Sequence, residues 1–214
     1  MNAFRKPEFI TFTGADADTD PTSMEWLASH YPIEWGLLFS PKRQGAEPRY
    51  PSLEACKRFL GAPLRLAAHL CGGYSRSIME GGHEELPLWL GRFGRVQVNH
   101  GRPEPARLRR FRDRSGAPMV IMQWRSDAFP AMWPGVDLLY DRSGGHGAVP
   151  SAWPPHPGYL VGYAGGLGPE NVREALAAIG AAGPYWIDME SGVRTDDRFD
   201  LAKCRSVCEH VFGA

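Results

Sequence analysis

The sequence predicts a single α/β domain over residues 1–214, folded as a trimmed (β/α)8 barrel. Three observations predict it. Short apolar runs alternate with helical stretches, which implies βαβ units and a parallel sheet. Eight such runs occur, with no second block of different composition. Near the end, two runs enter glycine turns that precede helical patterns: Tyr163 through Gly165, Gly166 and Gly168 to Val172, and Trp186 through Ser191 and Gly192 to Val193. A strand, a tight glycine turn and a helix start present bare backbone N–H groups to an anion. Two such units in succession suggest the phosphate site of a barrel. Such barrels usually take about 250 residues and about 200 at the least. A chain of 214 residues must therefore be a trimmed one.

The strand candidates, in order, are Phe9–Thr13, Glu34–Phe39, Leu64–Leu70, Val96–Asn99, Met119–Trp124, Val136–Tyr140, Tyr159–Tyr163 and Tyr185–Met189. The helix candidates are Ser23–His30, Leu53–Leu60, Leu86–Phe93, Glu104–Arg114, Pro169–Ile179 and Leu201–Phe212. Pro169 suits a first helical position, with Glu170 in the first turn. Val172, Leu176 and Ile179 follow at helical spacing as one apolar stripe. Between Asp141 and Gly158 no helical pattern occurs. Six of the 19 prolines fall between Pro130 and Pro157, together with Trp133 and Trp153. A long loop is expected there, with the helix after the sixth strand reduced or absent. Such loops are more often functional than idle.

Lys plus Arg and Asp plus Glu both number 24, so the formal net charge is zero. No basic excess points to nucleic acid, and no polybasic run to a membrane surface. No apolar segment approaches a membrane span, and no apolar run of signal-peptide type follows Arg5 and Lys6. A cytoplasmic protein is the expectation, as a monomer or homodimer. Of the four cysteines, Cys204 and Cys208 fall four apart on a helical pattern and share a face. No histidine or cysteine accompanies them at metal spacing, which favours packing over ligation. No cofactor is called for.

Catalytic groups of such barrels lie at the C-terminal ends of the strands. Here those ends carry Thr13 and Asp16, then Ser40, Lys42, Arg43 and Arg49. His69 and Cys71 follow, then Asn99 and His100, Arg125, and Asp141. The last two strands end in Gly165 and Gly166, and in Glu190, Ser191 and Gly192. Carboxylate, imidazole, guanidinium and glycine anion sites thus converge on one rim.

With those residues in place, the chain resembles the phosphoribosylanthranilate isomerase family of tryptophan biosynthesis, which has a ribulose-phosphate-binding barrel. I-T-F-T-G at Ile10–Gly14 resembles its first strand. Gly36–Phe39 with P-R-Y-P-S from Pro48 to Ser52 resembles its second unit. V-Q-V-N-H-G from Val96 to Gly101 resembles V-Q-L-H-G. L-L-Y-D ending at Asp141, with Gly144, Gly145 and Gly147, resembles L-L-L-D and G-G-T-G. The most specific likenesses are A-G-G-L with P-E-N-V from Ala164 to Val172, and the segment Asp188–Val193.

The resemblance implies acid–base isomerisation of a phosphorylated sugar or its amine adduct. Asp141 matches the general acid, Arg49 the supporting arginine, and Gly165, Gly166, Ser191 and Gly192 the phosphate cradle. Thr13 holds the place of the family's cysteine base. A threonine hydroxyl needs an activator to serve as one. Thr11 likewise replaces a lysine. An extra residue separates Gln97 from His100, which turns His100 to the other face unless a bulge absorbs it. His69 is a candidate replacement base. Two alternatives stay open: a metal-dependent phosphosugar epimerase or hydrolase using His69, His100, Asp141 and Glu190, and a non-catalytic phosphosugar-binding pseudoenzyme.

Overall fold

Eight parallel strands close into a barrel in chain order, with the last hydrogen-bonded to the first. The computed structural model describes residues 4–81, 85–86 and 89–213. The strands are β1 (Phe9–Thr13), β2 (Ile33–Phe39), β3 (Leu66–Leu70), β4 (Arg95–Val98), β5 (Val120–Trp124), β6 (Val136–Tyr140), β7 (Val161–Ala164) and β8 (Tyr185–Met189). The helices are α1 (Pro21–His30), α2 (Leu53–Leu60), α3 (Gly73–Glu80), α4 (Pro105–Ser115), α5 (Val172–Ile179) and α6 (Leu201–Phe212). The expected trimmed (β/α)8 barrel is what forms.

Strand alternation explains the two-layered core. Outward residues such as Ile10, Phe12, Trp35, Leu37 and Phe39 are fully buried between the sheet and its helices. Cys204 and Cys208 join them from α6 as free, buried thiols. Inside the barrel, Phe9, Ile121, Leu139, Ala164 and Trp186 form a second, smaller cluster. Gly162 makes room for it, since a Cβ there would lie 2.4 Å from the Trp186 ring.

Beside that cluster the barrel interior holds an ion network. Arg95 donates through Nε (3.0 Å) and Nη2 (2.5 Å) to the two oxygens of Glu34, which is fully buried. Arg95 also reaches Asp137 at 3.3 Å, and Thr11 donates to Glu34 at 3.0 Å. Burial pushes the Glu34 carboxyl up, but Arg95, aided by Arg65 and Thr11, pulls it below the ordinary value. Thr11 thus anchors a carboxylate that arginine neutralises.

Side-chain caps start several helices. Asp20 accepts from the amides of Thr22 and Ser23, and Pro21 opens α1 without needing a donor. Ser52 and Asp200 cap α2 and α6 in the same way.

Three helix expectations need correction. The helical pattern at Leu86–Phe93 lies partly outside the described residues, and the described part holds only a 3-10 turn, Leu90–Arg92. The helix of the third unit is α3 instead. Glycines at 72, 73 and 81 bracket it and obscure its short stripe of Tyr74 and Met79. Its last glycine is a left-handed cap, Gly81 at φ 81°. Finally, α5 begins at Val172 rather than Pro169. Asn171 holds the preceding turn closed, accepting from the Gly168 amide and donating to the Gly166 carbonyl.

No helix follows β6, as expected, and none follows β5 either. Aromatic side chains cover the wall in their place. Phe129 packs edge-on to Tyr163 at 5.7 Å, and Trp153 lies 6.0 Å from both Tyr140 and Tyr163. Trp133 meets Trp124 edge-on, and Tyr159 donates to the Pro130 carbonyl at 2.6 Å. Among the described residues, no helix is long and apolar enough to cross a membrane.

Candidate active site

The C-terminal mouth of the barrel opens into a cavity of 580 Å³. Its floor is made by inward-facing residues at the strand ends. Thr13 closes β1, His69 lies on β3, Gln97 on β4, Gln123 on β5, and Asp188 on β8. All five are at most 6% exposed. Gly36 on β2 leaves the space they use. A Cβ there would lie 2.4 Å from Thr13 Oγ1 and 2.9 Å from His69 Nε2.

Thr13 Oγ1 donates to Asp188 Oδ1 at 2.8 Å. His69 Nε2 stands 3.9 Å from the other oxygen, Oδ2, too far for a hydrogen bond. Burial pushes the Asp188 carboxyl up to about 8, against the pull of the Thr13 bond. The same burial pushes His69 down to about 4. Near neutral pH the pair is therefore a carboxylic acid beside a neutral imidazole.

Asp141 lies at the end of β6. Its carboxylate accepts from Gln123 Nε2 (2.7 Å), Ser143 Oγ (2.7 Å) and the amides of Gly144 (3.2 Å) and Gly145 (2.8 Å). It thereby pins the glycine loop after β6. That loop lies against the turn after β7. A Cβ on Gly166 (φ 60°) would meet the Gly147 carbonyl at 2.7 Å, and one on Gly147 would meet Ser191 Oγ at 2.4 Å. The turn after β8 packs on the same place, since a Cβ on Gly192 would lie 2.0 Å from the Leu167 carbonyl. The glycines are needed because three backbones approach without side chains between them. No turn or loop hydrogen bond between backbone groups of the described residues uses the amide of Gly166.

Arg49 bridges two acids on the rim, donating to Glu190 at 2.7 Å and Asp197 at 2.5 Å. Burial pushes the Glu190 carboxyl up, and Arg49 partly opposes it. Cys71 faces the cavity with Asn99 Nδ2 at 3.2 Å, and burial pushes its thiol up to about 11. It is thus held as a thiol.

Asp141, Thr13, Arg49, His69, Gly165, Gly166 and Ser191 all line this one cavity, and Gly192 lies just behind, against Leu167. Four rim candidates, Asp16, Lys42, His100 and Arg125, are not among the residues that line the cavity. His100 turns away, with Nε2 3.1 Å from Glu80 and Nδ1 2.9 Å from the Arg102 carbonyl. This is the face change that the extra residue after Gln97 demands. Asp16 is held by Arg194 at 2.6 Å and by the Phe199 amide. Among the described residues, no three His, Cys, Asp or Glu side chains are grouped to hold a metal ion. The ligand set of His69, His100, Asp141 and Glu190 is therefore not assembled.

Sequence reasoning gave no role to Asp188, Gln97 or Gln123. A signal for Asp188 was present. Trp186 and Asp188 alternate on one face of β8, and a carboxylate inside a strand that is apolar around it is rarely buried without purpose.

A family model described as N-(5'phosphoribosyl)anthranilate isomerase matches residues 152–210. No significant match was found among curated protein sequences. Several solved structures share the fold. A phosphoribosyl anthranilate isomerase from Thermotoga maritima is 17% identical, with a TM-score of 0.64 over 96% of this chain and 100% of that one. TrpF from Jonesia denitrificans is 18% identical, with a TM-score of 0.64 over 96% and 97%. A phosphoribosyl anthranilate isomerase from Thermus thermophilus is 20% identical, with a TM-score of 0.60 over 94% and 96%.

Proposed function

We propose that this chain is a divergent phosphoribosylanthranilate isomerase-like enzyme, acting on a phosphorylated sugar or its amine adduct by acid–base isomerisation. The observation that carries the reading is the 2.8 Å bond from Thr13 to Asp188 on the floor of a cavity whose rim is three glycine turns. The family match over residues 152–210 supports it, because that segment contains the turns after β7 and β8.

The phosphate binds to the backbone amides around Gly165, Gly166, Ser191 and Gly192. This fixes the sugar with its reacting carbons over the floor. Thr13 cannot be the base, since its hydroxyl proton is committed to Asp188. His69, pushed down to about 4, is too weak a base for carbon. Asp188 takes that role. A carboxyl raised to about 8 has the basicity of an ordinary thiol, the group that Thr13 displaces. The base has moved one strand over, from β1 to β8, and Thr13 orients it.

In the reaction, ring opening leaves a C1–nitrogen double bond; the carboxylate of Asp188 removes the proton from C2, the C–H pair forms a C1–C2 double bond as the C1–N pair returns to nitrogen, and return of the proton to C1 with loss of the C2 hydroxyl proton gives the ketose. Asp141, also at the mouth, is the acid of ring opening; to give a proton it must carry one on Oδ1, with the Ser143 hydroxyl then accepting from it in place of donating. Arg49 holds the charge of Glu190 beside them.

The test is turnover of N-(5'-phosphoribosyl)anthranilate and of simple aldose phosphates by the purified chain, with Asp188→Asn as control. Expected is a rate that rises toward pH 8 and falls at least about a hundredfold in the variant. Binding of phosphate without turnover of any of these substrates would leave the pseudoenzyme reading standing instead.

A further inference from the structure

Two polar atoms on the cavity floor have no hydrogen-bond partner: His69 Nε2 and Gln97 Oε1. Both residues are buried, at 2% and 4% exposure, and both line the cavity. They sit side by side, since His69 and Gln97 are register partners across β3 and β4. Gln97 is held by its other end, with Nε2 donating to Asn99 at 2.8 Å, so its carbonyl oxygen has a fixed direction. Buried polar atoms are almost always paired, and an unpaired pair at a cavity floor points to a ligand.

The chemistry of the pair restricts that ligand. Gln97 Oε1 can only accept. His69 is neutral, so its Nε2 donates in one tautomer and accepts in the other. A hydroxyl both donates and accepts: with the proton on Nε2, one hydroxyl accepts from His69 and donates to Gln97 Oε1, and in the other tautomer two neighbouring hydroxyls donate, one to each atom. A carboxylate would place an acceptor against the Gln97 oxygen. The surrounding lining adds the neutral polar side chains of Thr13 on β1, Gln123 on β5 and Asn99 just past β4, beside Asp188 on β8.

We infer that His69 and Gln97 form a hydroxyl-recognition subsite, which makes the ligand a phosphorylated polyol or sugar with free hydroxyls at its reacting end. The inference rests on the phosphate reading of the glycine turns and adds the far end of the same ligand. The two positions divide the cavity. Phosphate lies at the rim over β6, β7 and β8, and hydroxyls lie at the floor over β3 and β4.

Titration calorimetry on the full chain tests it with three probes: inorganic phosphate, pentyl phosphate and ribitol 5-phosphate. The last two differ in hydroxyls alone and cannot isomerise. Ribitol 5-phosphate should bind at least roughly tenfold tighter than pentyl phosphate, because a site built for hydroxyls rejects an analogue that lacks them. In Gln97→Met and in His69→Phe that gap should shrink, while affinity for inorganic phosphate stays, which also reports that each variant is folded. Equal affinity for pentyl and ribitol phosphates, with inorganic phosphate bound, overturns the hydroxyl subsite and leaves the glycine cradle intact. Failure of all three probes to bind the native chain overturns the cradle, and the subsite with it.

Discussion

Replacing Asp188 with asparagine should make the protein more stable at alkaline pH, although it removes the proposed base. The native carboxyl titrates near 8 when folded, against an ordinary value of 3.8. A folded-state pKa raised in this way contributes stability that is full at low pH and lost as pH rises toward 8. His69 acts oppositely below its ordinary value of 6.5, because folding holds it neutral down to about 4. Between pH 4 and 6.5 the two effects offset each other. Between pH 6.5 and 8 only the Asp188 effect remains of the pair. Each pH unit there is worth about 1.4 kcal/mol, so the native chain should lose roughly 2 kcal/mol that Asp188→Asn keeps. Asparagine has the shape of the neutral acid and can still accept from Thr13, so the variant should fold. Urea unfolding of both proteins at pH 6.5 and 8 measures the difference directly, and other titrating groups cancel in the comparison. Parallel pH dependence in the two proteins would refute the assignment of a buried, neutral carboxyl at this position.

Gly36→Ala should cost about 1–3 kcal/mol and disturb the floor, since its Cβ would lie 2.4 Å from Thr13 Oγ1. Thermal unfolding checks the first effect, and loss of ribitol 5-phosphate affinity the second. Arg95→Met should destabilise by roughly 3–5 kcal/mol, because it leaves the fully buried Glu34 without its main counter-charge. Adding Glu34→Gln should recover much of that loss in chemical denaturation, and no recovery would mean that charge is not the cause. Gly192→Ala forces the Leu167 carbonyl away from a contact that would otherwise be 2.0 Å. Phosphate stabilisation in a thermal shift should then fall at least about tenfold in apparent affinity.

The barrel was legible because its strands bury both faces, so each reads as a short apolar run. β1, β6 and β8 form over the very residues that pattern marks. Helix α3 was not legible, since flanking glycines look like loop and only Tyr74 and Met79 form its stripe. The turns after β7 and β8 could be read from glycine spacing alone, because backbone approach leaves a compositional trace. Asp188 left a fainter trace, a lone carboxylate inside an apolar strand. Its significance depends on burial and on Thr13 across the β1–β8 seam, 175 residues away in sequence. The orphaned atoms of His69 and Gln97 are invisible in sequence, since an unmet hydrogen bond is a property of the assembled site.

The segment after β6 leaves the cavity with the glycines that Asp141 pins, and ends on the outer wall with Trp153 against Tyr140 and Tyr163. With the segment after β5, which brings Phe129 and Trp133, it covers the place where two neighbouring helices would otherwise buttress β5 and β6. Helical buttresses bring a full ladder of backbone hydrogen bonds, and these loops bring only scattered ones such as Tyr159 to the Pro130 carbonyl. This sector is therefore expected to open before the rest of the barrel, which faster native-state exchange of its amides would show. A ligand that orders Gly144–Gly147 from inside holds down the same segment, so occupancy of the mouth is readable as slowed exchange on the far side of the wall.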